Sequence, residues 1–252
     1  MPNQVNFMDI PIWLQSKQDF VNMLRKTMSD ENSGLKKLYT LNPEIMMLAH
    51  RNQTYKEVLR DASYNVVDGT GLAIALKKAG NLVPSRICGA DLIYDLAQIC
   101  QELKRPFLIL GGSPEARELA QNNLSKKYPG LEVVGISPTR MGPHSFKEDA
   151  QITELLKNTR PAVVAVCLGA PRQESWIVQN AKLLSDCGVK VASGLGGSVD
   201  FVAGTIVRAP LFFRKIGMEW LWRLLREPSR IKRQLNTIPA FVWYGIVLKG
   251  RQ

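Results

Sequence analysis

The sequence predicts an α/β protein: a parallel sheet with helices on both faces, followed by a basic helical appendage at the C-terminal end. Three observations predict it. From residue 35 onward, short apolar runs rich in β-branched residues and leucine alternate with longer amphipathic runs. The alternation repeats five or six times, and strands that recur this way are joined by helical crossovers into a parallel sheet. Finally, +8 of the net charge of +11 lies from Arg208 onward, where ten Lys/Arg accompany only Glu219 and Glu227.

The strands are read at 37–42 (KLYTLN), 64–69 (YNVVDG), 106–112 (PFLILGG), 131–137 (LEVVGIS), 162–169 (AVVAVCLG) and 189–197 (VKVASGLGG). Most close on Gly, Ser or Asp, residues that punctuate strands. Between them, 89–104 sets Leu92, Leu96, Ile99 and Leu103 on one helical face. The run 113–130 opens with the capping residue Ser113 and Pro114, and stops at Pro129-Gly130. In a Rossmann-like sheet of this kind, ligands bind beyond the carboxyl ends of the strands. The residues to watch are therefore Thr40, Asn42, Asp68, Gly111, Gly112, Gly169 and the turn Gly194, Gly196 and Gly197. The division expected is a core at 1–207 and an appendage at 208–252.

Composition narrows the function classes. With 45% hydrophobic and 22% charged residues the chain can bury a core, and its nearly neutral body leaves the basic tail to meet an anionic partner. Four cysteines without CxxC spacing and only two histidines argue against zinc; they read as buried thiols of a reducing cytosol. The opening MPNQVNFMDIPIW lacks a basic stretch followed by an apolar run, so no secretory signal is expected. The apolar run IPAFVWYGIVL has eleven residues, where a membrane span needs about 20.

Asp68 ends an apolar strand and precedes Gly69-Thr70-Gly71, so it is either a base facing the crevice or the cap of the next helix. GGSPEA and GLGGSVD are strand-to-helix turns with backbone N–H groups suited to phosphate. Neither is a full G-x-G-x-x-G, and no G-x-x-x-x-G-K-[ST] occurs, which weakens the dehydrogenase and P-loop readings. In LGAPRQESW, Glu174 is explained by the positive end of its helix, whereas Gln173 has no structural reason and is free to bond a substrate hydroxyl. Arg86 lies on a loop, and Arg208 follows the glycine-rich turn as a phosphate candidate. There is no Asp-x-Asp, so no metal-bridged diphosphate is expected, and no cofactor; cations and backbone N–H groups would neutralise a leaving group. His50 and His144 belong to no nucleophilic triad.

The blocks TLNPEIMMLA, VVDGTGL, SRICGADL, LGAPRQESWI, GLGGSVDFVAGTIVRAP and GMEWLWRLLREPSRIKR, in order over residues 8–235, resemble the WecG/TagA/CpsF glycosyltransferases, glycosyltransferase family 26. The resemblance implies transfer of a sugar, N-acetylmannosamine or a relative, from a UDP-sugar donor to an undecaprenyl-diphosphate-linked saccharide. The setting implied is the cytoplasmic face of a bacterial membrane, in teichoic acid or other surface polysaccharide synthesis. It further implies inversion without a metal, Asp68 as the base, and Thr40, Asn42, Arg86 and Gln173 around it. The basic appendage would reach the membrane and help complete the site. The loop 136–146 departs from the family's Gly-Tyr-Phe pattern, so sugar identity is not implied.

On the residues alone, Gly194–Gly197 and Arg208 are assigned to the diphosphate, and a carboxylate at its ordinary pKa suffices as base. In FFRKIGMEWLWRLLREPSRIKRQ, aromatics beside cations suit an anionic membrane surface after Pro228. Nucleic acid is not expected, since the Trp/Leu density exceeds what phosphate tracking needs. For 211–226, packing on the body and membrane contact both stay open, as does a homo-oligomer. The rival functions are a nucleotide-dependent oxidoreductase and a non-enzymatic accessory protein for a partner transferase.

Overall fold

Two short strands precede the region where the sequence pattern begins. β1 (Gln4–Phe7) and β2 (Ile10–Trp13) pair antiparallel as a hairpin. The sequence does not announce it. Met8 and Asp9 turn the chain at φ 54° and 64° without the Asn-Gly or Asp-Gly signature that such a turn favours. The computed structural model describes residues 4–138, 149–215, 217–226 and 237–243.

The chain continues through α1 (Lys17–Ser29), β3 (Lys36–Leu41), α2 (Pro43–Arg51), α3 (Gln53–Arg60), β4 (Tyr64–Val67), α4 (Thr70–Lys78), α5 (Gly89–Glu102) and β5 (Phe107–Gly111). It then forms α6 (Pro114–Lys127), β6 (Val133–Ile136), α7 (Ala150–Thr159), β7 (Val163–Cys167), α8 (Arg172–Gln179), α9 (Ala181–Asp186), β8 (Val191–Gly194) and α10 (Ser198–Ala203). The C-terminal segment adds α11 (Leu211–Lys215) and α12 (Glu219–Arg226). Side-chain caps begin several helices: Ser16, Asn42, Asn52, Ser113 and Asp149 each accept a backbone N–H of the first turn.

All eight strands form one sheet in the order β1-β2-β4-β3-β8-β7-β5-β6, parallel except for β1. All six expected strands are present, and both sheet faces are buried. Successive residues alternate between two cores: Tyr39, Leu41, Leu108 and Leu110 pack against α2, α3, α4 and α8. Leu38, Phe107 and Ile109 pack against α1, α5, α6 and α10. Burial on both faces explains why these strands read as continuous apolar runs instead of alternating ones.

The amino end of the sheet is fastened by two cations. Lys190 Nζ donates to the carbonyls of Asp30, Glu31 and Ser33 at 2.9, 2.8 and 2.9 Å. Arg105 Nη2 donates to the carbonyls of Arg160 and Gly188, each at 2.9 Å. The carboxyl end is where the loops gather.

Candidate active site

The loops after β3 and β4 are packed into each other. Asn42 Oδ1 accepts from Ile45 N at 3.0 Å and caps α2, with Pro43 in the first turn. A Cβ on Gly69 would lie 2.7 Å from Pro43 Cδ and 2.9 Å from Asn42 Cβ, so only glycine fits there. A Cβ on Gly71 would meet Pro43 Cγ at 2.8 Å. The Thr-x-Asn-Pro and Asp-Gly-x-Gly runs thus need each other. Asp68 N donates to Leu41 O at 2.9 Å, which fixes the aspartate at the tip of its strand.

Asp68 does not cap α4; Gly69 occupies that position without a side-chain bond. The carboxylate turns instead to the start of α5, where Oδ2 accepts from Gly89 N at 3.5 Å. A Cβ on Gly89 would lie 3.0 Å from Ser198 Oγ and 3.4 Å from Thr40 Oγ1. β3, β4, α5 and α10 therefore bring Thr40, Asp68, Gly89 and Ser198 to one place. Ser198 was not singled out in the sequence, because a serine opening a helix is ordinary. Arg86 Nη1 reaches Thr70 Oγ1 at 2.9 Å and the Asp68 carbonyl at 3.5 Å.

Burial pushes the Asp68 carboxyl above the ordinary carboxylate range. Bonding by Cys88 and Gly89 opposes the rise, the charge of Glu219 adds to it, and Arg86 opposes it.

Gln173 is 3% exposed and bonded within the protein. Its Nε2 donates to Glu174 Oε1 at 2.7 Å, and its Oε1 accepts from Gly196 N at 2.9 Å. A Cβ on Gly194 would meet Gln173 Nε2 at 2.8 Å. Gln173 thus has a structural role the sequence did not reveal: it holds the glycine-rich turn against α8. Glu174, explained in the sequence by the positive end of its helix, is 0% exposed. Burial raises its pKa, and its Oε2 lies buried without a bond, as do the hydroxyls of Tyr39 and Tyr55.

The remaining strand ends differ in what surrounds them. Gly111 and Gly112 have φ of +99° and +75°; a Cβ on the first would strike Cys167 O at 2.8 Å, and on the second Val199 Cγ1 at 3.0 Å. Gly169, at φ +73°, faces open space. Gly197 opens α10.

Arg208 is held by carboxylates. Its Nη2 donates to Asp91 Oδ2 at 2.9 Å, Nη1 bonds Asp91 Oδ1, and Nε donates to Glu219 Oε1 at 3.1 Å. Three of its five N–H donors are thus engaged by carboxylates. Asp91 is held below the ordinary carboxylate range chiefly by its bond to Arg208.

The C-terminal segment lies over the same region. Arg86 Nη2 donates to Arg214 O at 3.1 Å, and a Cβ on Gly217 would meet Thr70 Cγ2 at 2.6 Å. Trp222 Nε1 donates to Val207 O at 3.2 Å, and its ring lies 5.6 Å from that of Phe213. Phe241 is buried near Gly71. Phe212, Trp220 and Leu225 stay exposed by 67%, 44% and 67%. Arg214, Gly217 and Trp222 therefore contact the body while Phe212, Trp220 and Leu225 face outward. Among the described residues no helix is long and apolar enough to cross a membrane. His144, most of the loop 136–146, and Glu227, Pro228, Arg230, Lys232 and Arg233 lie outside the described residues.

The model of the "Glycosyl transferase WecG/TagA/CpsF family" matches residues 5–252. A Bacillus spizizenii (strain W23) protein named N-acetylglucosaminyldiphosphoundecaprenol N-acetyl-beta-D-mannosaminyltransferase is 32% identical over 240 residues, 95% of this chain and 88% of that protein. Proteins of the same name from Staphylococcus aureus strains MRSA252 and MW2 are 34% identical over 206 residues, 82% of this chain and 78% of theirs.

Proposed function

The chain belongs to the WecG/TagA/CpsF glycosyltransferase family, and from that premise we propose that it moves an N-acetylmannosamine-type sugar or related hexose from a UDP donor to an undecaprenyl-diphosphate-linked saccharide. The acceptor's class follows from the names of its relatives, which act on N-acetylglucosaminyl-diphosphoundecaprenol. The observation that carries the reading is the Asp68 carboxylate at the tip of β4, which accepts from Gly89 N, a residue against which the Thr40 and Ser198 hydroxyls are packed.

Asp68 takes the proton of the acceptor hydroxyl as its oxygen bonds to the anomeric carbon. The bond to UDP breaks on the opposite face, so the configuration inverts. A base with raised proton affinity is better matched to a hydroxyl proton near neutral pH. Arg86 and the turn at 194–197 meet the charge of the departing diphosphate, a role in which preorganised groups are most effective. The absence of Asp-x-Asp supports a reaction that needs no metal. The outward apolar side of the C-terminal segment, beside its cations, supports docking on an anionic membrane at the cytoplasmic face, where a lipid-linked acceptor would be presented.

The test is transfer by the purified chain from UDP-N-acetylmannosamine to a synthetic N-acetylglucosaminyl-diphosphate polyprenol, with other UDP-sugars screened by thermal shift. Transfer should persist in EDTA. Asp68→Asn should keep the circular dichroism of the wild type and lose at least about 100-fold in kcat. A near-normal rate would remove Asp68 from the reaction.

A further inference from the structure

Gly89, the first residue of α5, is ringed by side-chain oxygens from three other parts of the fold. Its N–H reaches Asp68 Oδ2 at 3.5 Å, and a Cβ placed on it would lie 3.0 Å from Ser198 Oγ and 3.4 Å from Thr40 Oγ1. The tip of β4 thus supplies a carboxylate, α10 and β3 supply hydroxyls, and the missing side chain of Gly89 leaves them their room. The two hydroxyls differ in their partners. Thr40 Oγ1 donates to Gly194 O at 3.5 Å, whereas Ser198 Oγ has no hydrogen bond to a described residue, although Ser198 is only 5% exposed. Ser198 is not a helix cap: Gly197 holds that position in α10, without a side-chain bond. Nor does packing against Gly89 ask for it, since alanine would fill the same place with no polar atom to bury. A hydroxyl so enclosed destabilises the fold unless something bonds it.

We propose that Ser198 is a further substrate-binding residue: its hydroxyl, alongside that of Thr40, bonds a hydroxyl of the bound sugar next to the Asp68 carboxylate. The inference rests on Asp68 as the base of the proposed transfer. The chemistry of the group selects its ligand. An ionised carboxylate only accepts and a guanidinium only donates, whereas a serine hydroxyl does both and turns to suit. It therefore matches a sugar hydroxyl, which also does both, and it holds that sugar in register with the base. The nucleotide-linked donor and the lipid-linked acceptor both carry such a group, and the experiment separates them.

The test uses Ser198→Ala in the full-length chain. Its urea midpoint should equal or exceed that of the wild type, because no bond within the protein is lost. With UDP-N-acetylmannosamine and a synthetic N-acetylglucosaminyl-diphosphate polyprenol, kcat/KM should fall about 3- to 10-fold, the scale of one hydrogen bond between neutral groups. A rise in the KM of the nucleotide sugar assigns the contact to the donor; a rise in that of the polyprenol assigns it to the acceptor. Deoxy analogues of that sugar, each lacking one hydroxyl, complete the cycle: one of them should be turned over equally well by variant and wild type. An unchanged kcat/KM, a lowered urea midpoint, or an equal loss with every deoxy analogue overturns the inference. If the wild type binds these sugars in calorimetry and transfers none, the proposed function falls instead. The affinity of the variant, about 3- to 10-fold weaker or unchanged, then decides the role of Ser198.

Discussion

At the scale of single residues, burial holds two carboxyls above their ordinary range, Asp68 and Glu174. Each binds its proton more tightly in the folded than in the unfolded chain. Stability is therefore highest below the ordinary carboxylate pKa and falls as pH rises toward the native value. Glu174→Gln removes that penalty while keeping an acceptor for Gln173. Its unfolding midpoint should match the wild type near pH 4 and exceed it by about 3 °C or more at pH 8, since about 1 kcal/mol moves Tm by that much in a chain of this size. A difference that does not grow with pH would show that Glu174 is not the group responsible. Asp68→Asn should show the same pH-dependent gain together with its loss of turnover, the signature of a group kept for chemistry at the expense of stability.

At the scale of elements, the two loops that frame Asp68 stand or fall together. Gly69→Ala is permitted by its backbone angles, yet its Cβ would press on Pro43 and Asn42. Overpacking of this kind costs about 1–3 kcal/mol, so urea unfolding should show a lower midpoint at an unchanged m value. The parallel strands were legible because burial on both faces writes itself as unbroken apolar runs. The β1–β2 hairpin was not: each strand has four residues and the turn has no glycine. At the site, Asp68 was legible as a strand-end carboxylate, but that it leaves α4 uncapped and accepts from Gly89 at the start of α5 depends on a residue 21 positions away. The bonds of Gln173 and Arg208 were not legible because their partners, Gly196 and Asp91, are 23 and 117 residues away.

At the scale of the whole molecule, the C-terminal segment divides between body and surroundings. Trp222 and Phe241 face the body; Phe212, Trp220 and Leu225 face away from it. Replacing these last three by serine should leave folding intact and weaken co-sedimentation with anionic vesicles about tenfold or more, the expected cost of removing aromatic and aliphatic anchors from an interfacial helix. Unchanged sedimentation would assign membrane contact to another part of the chain. Lys190 and Arg105, each gripping several carbonyls, make the opposite pole of the sheet a fixed floor. With that pole so fastened, a protease given limited time should clip near the tail first and leave the strands beneath as one resistant block.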